Sequence, residues 1–247
     1  MSMLVTSPGL SIRHGFSTRQ GGVSEGPFAS LNLARNVGDA LPNVEENERR
    51  LAAALELSSA QLVSANQVHG AVILEVKSPL PSALGDADGL LTGTKGVALC
   101  IRTADCVPIL LHAPDVEAIA AVHAGWKGTH LSIAGLAVAR LAKDHGAAPG
   151  KIRAAIGPSI RRCCYEVGGD LAEKFRAAFG DGVLEERPGQ KPHLDLAAAN
   201  RLVLERAGIL PENISVLPHC TACDAARFFS HRRDQGVTGR HVSLLVL

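Results

Sequence analysis

Aromatic side chains are scarce in this 247-residue sequence, which holds six Phe, one Trp and one Tyr. A surface that stacks successive nucleic-acid bases draws on more rings than that. A charge excess of either sign is missing too: 25 Lys plus Arg stand against 24 Asp plus Glu. No global basic field therefore collects nucleic acid or anionic lipid, although a local cluster can still hold one phosphate group. Long apolar runs are absent. Spanning a bilayer takes roughly 20 apolar residues, and the richest stretch, 107–124, is broken by Pro108, His112, Pro114, Asp115 and Glu117. The opening segment, MSMLVTSPGLSIRHGF, lacks the basic region and apolar core of a secretory signal. The expectation is a cytoplasmic protein with no membrane partner, whose thiols stay reduced. Several common catalytic signatures are missing as well: a GxGxxG turn after a strand, a Walker loop, a GxSxG elbow and an HExxH helix.

What remains is the composition of a folded globular chain, 46% apolar and 20% charged with 25 Gly. No repeat, low-complexity tract or linker divides it, so residues 1–247 are expected to form a single domain. Helical periodicity and end signals predict helices over 42–57, with Pro42 in the first turn, and over 129–146, with Thr129 as N-cap and Gly146 as stop. Two further helices are expected over 169–179 and 195–207. Short apolar runs predict strands over 61–68, 71–76, 88–92, 97–102, 152–156, 214–217 and 241–246. The runs 107–111 and 118–124, joined by a Pro-Asp turn, are continuous rather than alternating, which suits adjacent strands buried on both faces. Several strands follow one another too closely for a helical crossover, so a mixed sheet or pair of sheets with flanking helices is expected, not a doubly wound parallel sheet.

Against few rings stand ten His and six Cys. Three segments combine a metal-capable side chain with Gly or Pro at an expected strand end: NQVHG (66–70), TADCVP (103–108) and AVHAGWKG (121–128). Strand ends from distant parts of a sheet converge in space, and turn glycines let backbone approach a ligand. His69, Cys106 and His123 would supply two imidazoles and one thiolate to a metal with an open position. Other readings stand beside this one. Cys106 suits a buried small hydrophobe and His123 a core histidine bonded to backbone; Cys106 activated by His123 or His69 suits a thiol nucleophile. Near the carboxyl end, HCTACD contains a CxxC, but no second CxxC completes a four-cysteine zinc site, so Cys220 and Cys223 read as loop thiols. The adjacent Cys163 and Cys164 cannot both face one site from a regular strand, so they too read as structural. The segment FFSHRRD with Gly239-Arg240 mixes an apolar anchor with basic side chains: either a solvated turn or an oxyanion pocket, with Arg233 and Arg240 joined by Arg19 and Lys127.

Taken in order, STRQGGVS, SLNLARNVGD, NQVHG, DADGLLT, TADCVPILL, AVHAGWKG, IGPSI, CCYEVG, LDL with AAAN, CTACD, FFSHRRD and TGR resemble the YfiH-like family along nearly the whole chain. That family is also described as laccase-domain or polyphenol oxidase proteins and as purine nucleoside phosphorylases. The resemblance implies a catalytic Zn2+ on His69, Cys106 and His123. It also implies an α+β fold of mixed sheets packed face to face with helices outside, in α/β/β/α layers, similar to the catalytic domain of cytotoxic necrotizing factor. The activity it implies is phosphorolysis of adenosine, inosine and methylthioadenosine, with purine nucleoside and phosphate as partners and adenosine deamination beside it. On that reading Arg19, Lys127, Arg233 and Arg240 are the phosphate-holding candidates, Asp105 or Asp88 the proton shuttle, and Trp126 the first ring to examine for stacking. Two rivals remain. Two His and one Cys also make a blue-copper set, so Cu2+ oxidation of phenols is the alternative; against it, the only methionines are Met1 and Met3 and there is no HxH pair. The other rival is a Cys/His hydrolase or a factor that edits peptidoglycan precursors.

Overall fold

The computed structural model describes residues 2–78 and 84–247; Met1, weighed above, lies outside them. The strands run β1 (Leu4–Val5), β2 (His14–Ser17), β3 (Leu62–Val63), β4 (Ile73–Glu75), β5 (Gly89–Thr92), β6 (Ala98–Thr103) and β7 (Val107–Ala113). They continue with β8 (Ala118–Ala124), β9 (Arg153–Ile156), β10 (Leu184–Glu185), β11 (His193–Leu194), β12 (Ile214–Val216) and β13 (His241–Val246). The α-helices are α1 (Leu41–Ala54), α2 (Trp126–His130), α3 (Ile133–His145), α4 (Gly169–Phe179) and α5 (Leu196–Arg206).

Two mixed sheets result. One has the order β1-β2-β13-β6-β3, antiparallel except for the β3–β6 pair; the other has β12-β9-β7-β8-β5-β4, parallel only at its two outer pairs. The continuous apolar runs of β7 and β8 follow from their place in the middle of the second sheet, where every residue is buried. Side chains alternate between faces. Val107, Ile109 and Leu111, with Ala118, Ala120 and Val122, pack against α3, α4 and α5. Leu110, Ile119 and Ala121 point the other way, onto Phe16, Leu99, Ile101 and Leu245 of the first sheet. The outer face of that sheet is covered by Leu51 of α1 and by Leu31 and Leu33 from the loop before it. The expected layered α+β arrangement is therefore present: helix, sheet, sheet, helix. By parity His123 belongs to the inter-sheet face of β8, in a row otherwise filled by Ile119 and Ala121.

Most expected elements appear within a residue or two, and the exceptions have local causes. The strand expected over 61–68 shrinks to β3, because from Ser64 onward the backbone leaves the sheet and bonds to the 84–87 segment. The Asn66 amide donates to the Gly85 carbonyl at 2.8 Å and the Ala87 amide to the Asn66 carbonyl at 2.9 Å. The helix expected over 42–57 stops at Ala54, where Glu56 takes a left-handed φ of 55°. Thr129 is not an N-cap. It lies inside α2 with its hydroxyl accepting from Asn200 Nδ2 on α5 at 2.9 Å, and Ser132, at φ 58°, separates α2 from α3. Gly146 does end α3, in the left-handed conformation that glycine tolerates best.

The two sheets approach closely beside the end of β9. A Cβ at Gly157 would fall 2.2 Å from Phe16 Cε1 and 2.8 Å from Pro108 Cγ. Neither neighbour can retreat without disturbing the packing between sheets. Gly157→Ala is expected to lower stability by about 1–3 kcal/mol through overpacking, read as a shift in the denaturant midpoint; an unchanged midpoint would contradict this close approach.

Candidate active site

Three loops meet at one end of the inter-sheet space. The β7–β8 hairpin pairs Val107 with Ala124 and Pro108 with His123, which sets Cys106 just beyond the start of β7 and His123 near the end of β8. On the other side of β8, β5 pairs Gly89 with Val122, so Asp88 faces His123 across the ladder, and the His123 amide donates to the Asp88 carbonyl at 2.7 Å. Their side chains meet too: His123 Nδ1 and Asp88 Oδ1 are 2.7 Å apart. Asp88 also accepts the backbone amides of Val68 (3.2 Å), His69 (3.0 Å) and Gly70 (2.6 Å). These bonds bend the NQVHG loop around the carboxylate and place His69 at φ 58°. The sheet register therefore aims His123, and the carboxylate that aims it also shapes the loop presenting His69.

His69, Cys106 and His123 come together: one ligand atom from each lies within 4.8 Å of the others. His69 Nε2 stands 3.9 Å from Cys106 Sγ, and the imidazoles meet edge to face with centroids 4.8 Å apart. For zinc, bond lengths near 2.0–2.1 Å to nitrogen and 2.3 Å to sulfur put tetrahedral N···S pairs about 3.6 Å apart, close to this spacing. A Cβ at Gly125 would lie 3.1 Å from both Cys106 Sγ and His69 Cδ2, so glycine there keeps the cluster uncrowded. Asp88 occupies Nδ1 of His123 and leaves Nε2 for a ligand, the usual carboxylate–histidine arrangement around a metal. The three residues thus fit a catalytic zinc with an open position.

In the metal-free protein the electrostatics describe a thiolate–imidazolium pair, whose His123 proton a metal ion would displace. Burial opposes ionisation of Cys106, but the imidazoles of His123 and His69 outweigh it and bring the thiol down to about 6. Burial also opposes charge on His123, yet the Cys106 thiolate and Asp88 raise it to about 9. Asp88 is held below its ordinary range because the His123 and amide bonds overcome its desolvation.

A cleft of roughly 1100 Å³ opens beside the cluster, lined by His69, Cys106 and His123 together with Asn66, Gln67, Arg35, Arg102, His231 and Arg240. Of the basic residues singled out from the sequence, only Arg240 borders it, half-buried and close enough to feel the charge on Cys106. The others have different work. Arg233 spends its guanidinium on Asp234 and on the carbonyls of Thr221, Ala222 and Phe228. Arg19 donates to the carbonyls of Ala29 and Ala225 and lies over the Phe229 ring. Lys127 is exposed beside Trp126, which packs on the core between sheet and helices. The ring near Cys106 is Tyr165; burial and that sulfur's charge push its hydroxyl up to about 12.

Both proposed shuttles are engaged by several donors. Asp105, at φ 86°, accepts from the Thr221 hydroxyl at 2.6 Å, the Ser230 hydroxyl at 3.0 Å and the Arg232 amide at 2.7 Å. Asp88 is likewise saturated by donors. Both carboxylates position their neighbours. Sequence reasoning did not single out Arg35, Arg102 or His231 as cleft residues, although Arg35 and His231 lie in the segments SLNLARNVGD and FFSHRRD; in the structure Arg35 and Arg102 are engaged by Glu45, Glu48 and the Leu33 carbonyl.

A sequence-family model described as "Multi-copper polyphenol oxidoreductase laccase" matches residues 13–247. The chain belongs to this family. It is 46% identical to a Deinococcus radiodurans protein named purine nucleoside phosphorylase, over 96% of this chain and 90% of the relative. A protein named adenosine deaminase RL5, from an unknown prokaryotic organism, is 38% identical over 88% of this chain and 87% of its own length. The crystal structure of YlmD from Geobacillus stearothermophilus superimposes with a TM-score of 0.93 at 37% identity, covering 100% of this chain and 99% of that one. Enzyme names thus run through this laccase-described family.

Two measurements probe the geometry. In chelator-treated protein, alkylation of Cys106 should rise with pH through about 6, because the thiolate is the reactive form above that value; a midpoint near the ordinary thiol value would show that the imidazoles do not act on it. Asp88→Asn should weaken metal affinity by about 10–100-fold, the usual cost of losing the carboxylate behind a ligating histidine. Competition against a chromogenic chelator reads that change, and unaltered affinity would remove Asp88 from its positioning role.

Proposed function

We propose that this chain is a zinc-dependent purine nucleoside phosphorylase acting on adenosine, inosine and methylthioadenosine, with adenosine deamination as a second activity. The observation that carries this reading is the His69–Cys106–His123 cluster opening into a cleft that Arg240 borders. Relatives named for both activities support it. The cleft volume matches or exceeds the roughly 300–1,000 Å³ of small-molecule sites, enough for a nucleoside and a phosphate together.

When bound, zinc supplies Lewis acidity toward an oxygen of phosphate or substrate. His69, Cys106 and His123 hold it, and Asp88 fixes the His123 tautomer. Arg240, whose Nη1 donates to the Thr238 and Gly239 carbonyls, turns its remaining guanidinium donors to phosphate oxygens. A phosphate oxygen then forms a bond to the anomeric carbon while the glycosidic C–N bond breaks; the electron pair leaves with the purine, which takes up a proton. The protein's part is to align the two reactants and stabilise charge, the two largest sources of rate in such transfers.

Two rivals rest on the same cluster. Copper chemistry suits two His and one Cys, but among the described residues no methionine lines the cleft to supply an axial thioether. A thiol hydrolase is favoured by the lowered Cys106 thiol beside His123. Product analysis separates them. Ribose 1-phosphate should appear from inosine or adenosine only when phosphate is supplied, and Cys106→Ala should reduce this to the uncatalysed background. Base release independent of phosphate, oxygen-dependent phenol oxidation as the sole activity, or a covalent adduct on Cys106 would overturn the phosphorylase reading.

A further inference from the structure

The four cysteines read from the sequence as unconnected thiols form a second cluster. Cys163 and Cys164 lie on a tight turn rather than a strand, so adjacent side chains can point the same way. Their sulfurs stand 3.5 and 3.3 Å from Cys223 Sγ. With Cys220, all four sulfurs fall within 4.8 Å of one another. A four-thiolate zinc with bonds of 2.3 Å spaces its sulfurs about 3.8 Å apart, whereas a disulfide brings two to about 2.05 Å. All four are free thiols.

The surroundings hold the two cysteine-bearing segments together. The turn and the CxxC loop are held in register by a parallel bridge between Ser159 and Cys220, with the Thr221 amide donating to the Ser159 carbonyl at 3.1 Å. Arg161, at the start of the turn, ties it further to the loop by donating to the Leu217 and His219 carbonyls. Four soft thiolates with no gap in the set suit one zinc ion in a closed, structural site.

We propose that Cys163, Cys164, Cys220 and Cys223 bind a single zinc ion that staples the 161–165 turn to the 219–224 loop. This site is separate from the His69–Cys106–His123 cluster and does not depend on the proposed function. Its structural consequence runs through Thr221, whose hydroxyl holds Asp105, the residue before Cys106. Binding exchanges thiol protons for the metal, so uptake releases protons and weakens at low pH.

The test uses full-length Cys106→Ala protein, in which the first cluster is broken, purified with zinc and without chelator. Elemental analysis should find one zinc per chain, lost when Cys163→Ser and Cys223→Ser are added. Cobalt exchanged into the Cys106→Ala protein should give the intense near-ultraviolet band of thiolate-to-cobalt charge transfer, at an intensity set by four sulfurs; this decides the question even if the triple variant fails to fold. Cys106→Ala protein without zinc, a cobalt spectrum lacking thiolate character, or a Cys220–Cys223 disulfide in freshly purified protein would each overturn the proposal.

Discussion

The Asp88 carboxylate is fully buried, and the cluster end of the molecule is arranged around keeping it ionised there. Removing a carboxylate from water costs several kcal/mol unless donors replace the lost solvent. Here the replacements are His123 Nδ1 and the successive amides of Val68, His69 and Gly70. Each charge-assisted bond contributes about 1.5–3 kcal/mol, so a full set of donors can offset the burial. The cost is conformational: His69, not a glycine, adopts φ 58°. Strain of this kind persists only where surrounding contacts over-determine it, and three amides on one carboxylate do so. One buried charge thereby joins β5, β8 and a loop distant in sequence, and fixes both imidazoles relative to Cys106.

Asp105 plays the corresponding part on the other side of Cys106. Its carboxylate gathers Thr221, Ser230 and the Arg232 amide from a carboxyl-terminal region with little regular structure between β12 and β13. Such a region has no ladder to satisfy its carbonyls, and half-buried guanidinium groups with several donors in fixed geometry take over. Arg233 serves Thr221, Ala222 and Phe228; Arg19 ties Ala29 to Ala225; the buried His241 accepts the Phe229 amide at 2.9 Å and burial pushes it down to about 3, so it stays neutral. The basic, motif-rich segment that looked like an oxyanion pocket is mainly the frame holding Asp105, and through it Cys106, in place. Arg240 alone of the arginines proposed from the sequence passes from that frame into the cleft.

This division explains what could be read in advance. The β7 and β8 strands were legible because burial on both faces leaves an unbroken apolar run, and the α3 stop because Gly146 is required by a left-handed backbone. The three-residue cluster was legible as ligand types at strand ends. The Thr129 cap misled because a buried threonine was bonding across to Asn200, a tertiary contact that outweighs local preference. Cys163 and Cys164 misled for a geometric reason: alternation forbids adjacent side chains from sharing a site on a strand, and the rule lapses on a turn. The roles of the arginines were illegible throughout, since a guanidinium saturated by carbonyls and one facing a cleft have the same sequence signature.

On the proposed reading, charge accounting also says why an anion is the natural second ligand. Two neutral imidazoles and one thiolate leave a divalent ion with a net single positive charge. Asp88 opposes it, but that carboxylate is already engaged by amides and by His123, so its field at the open side of the cluster is weakened. Asp105 is similarly enclosed by hydroxyls and an amide. Arg240 then adds its cation at the cleft wall, within electrostatic reach of Cys106. Both carboxylates needed for architecture are thus turned inward and engaged by short contacts, while at the cleft wall Glu45 and Glu48 are paired with Arg35 and Arg102, which leaves Arg240 to add positive charge. On that reading the cation at the cleft wall serves phosphate, whose charge a neutral phenol lacks.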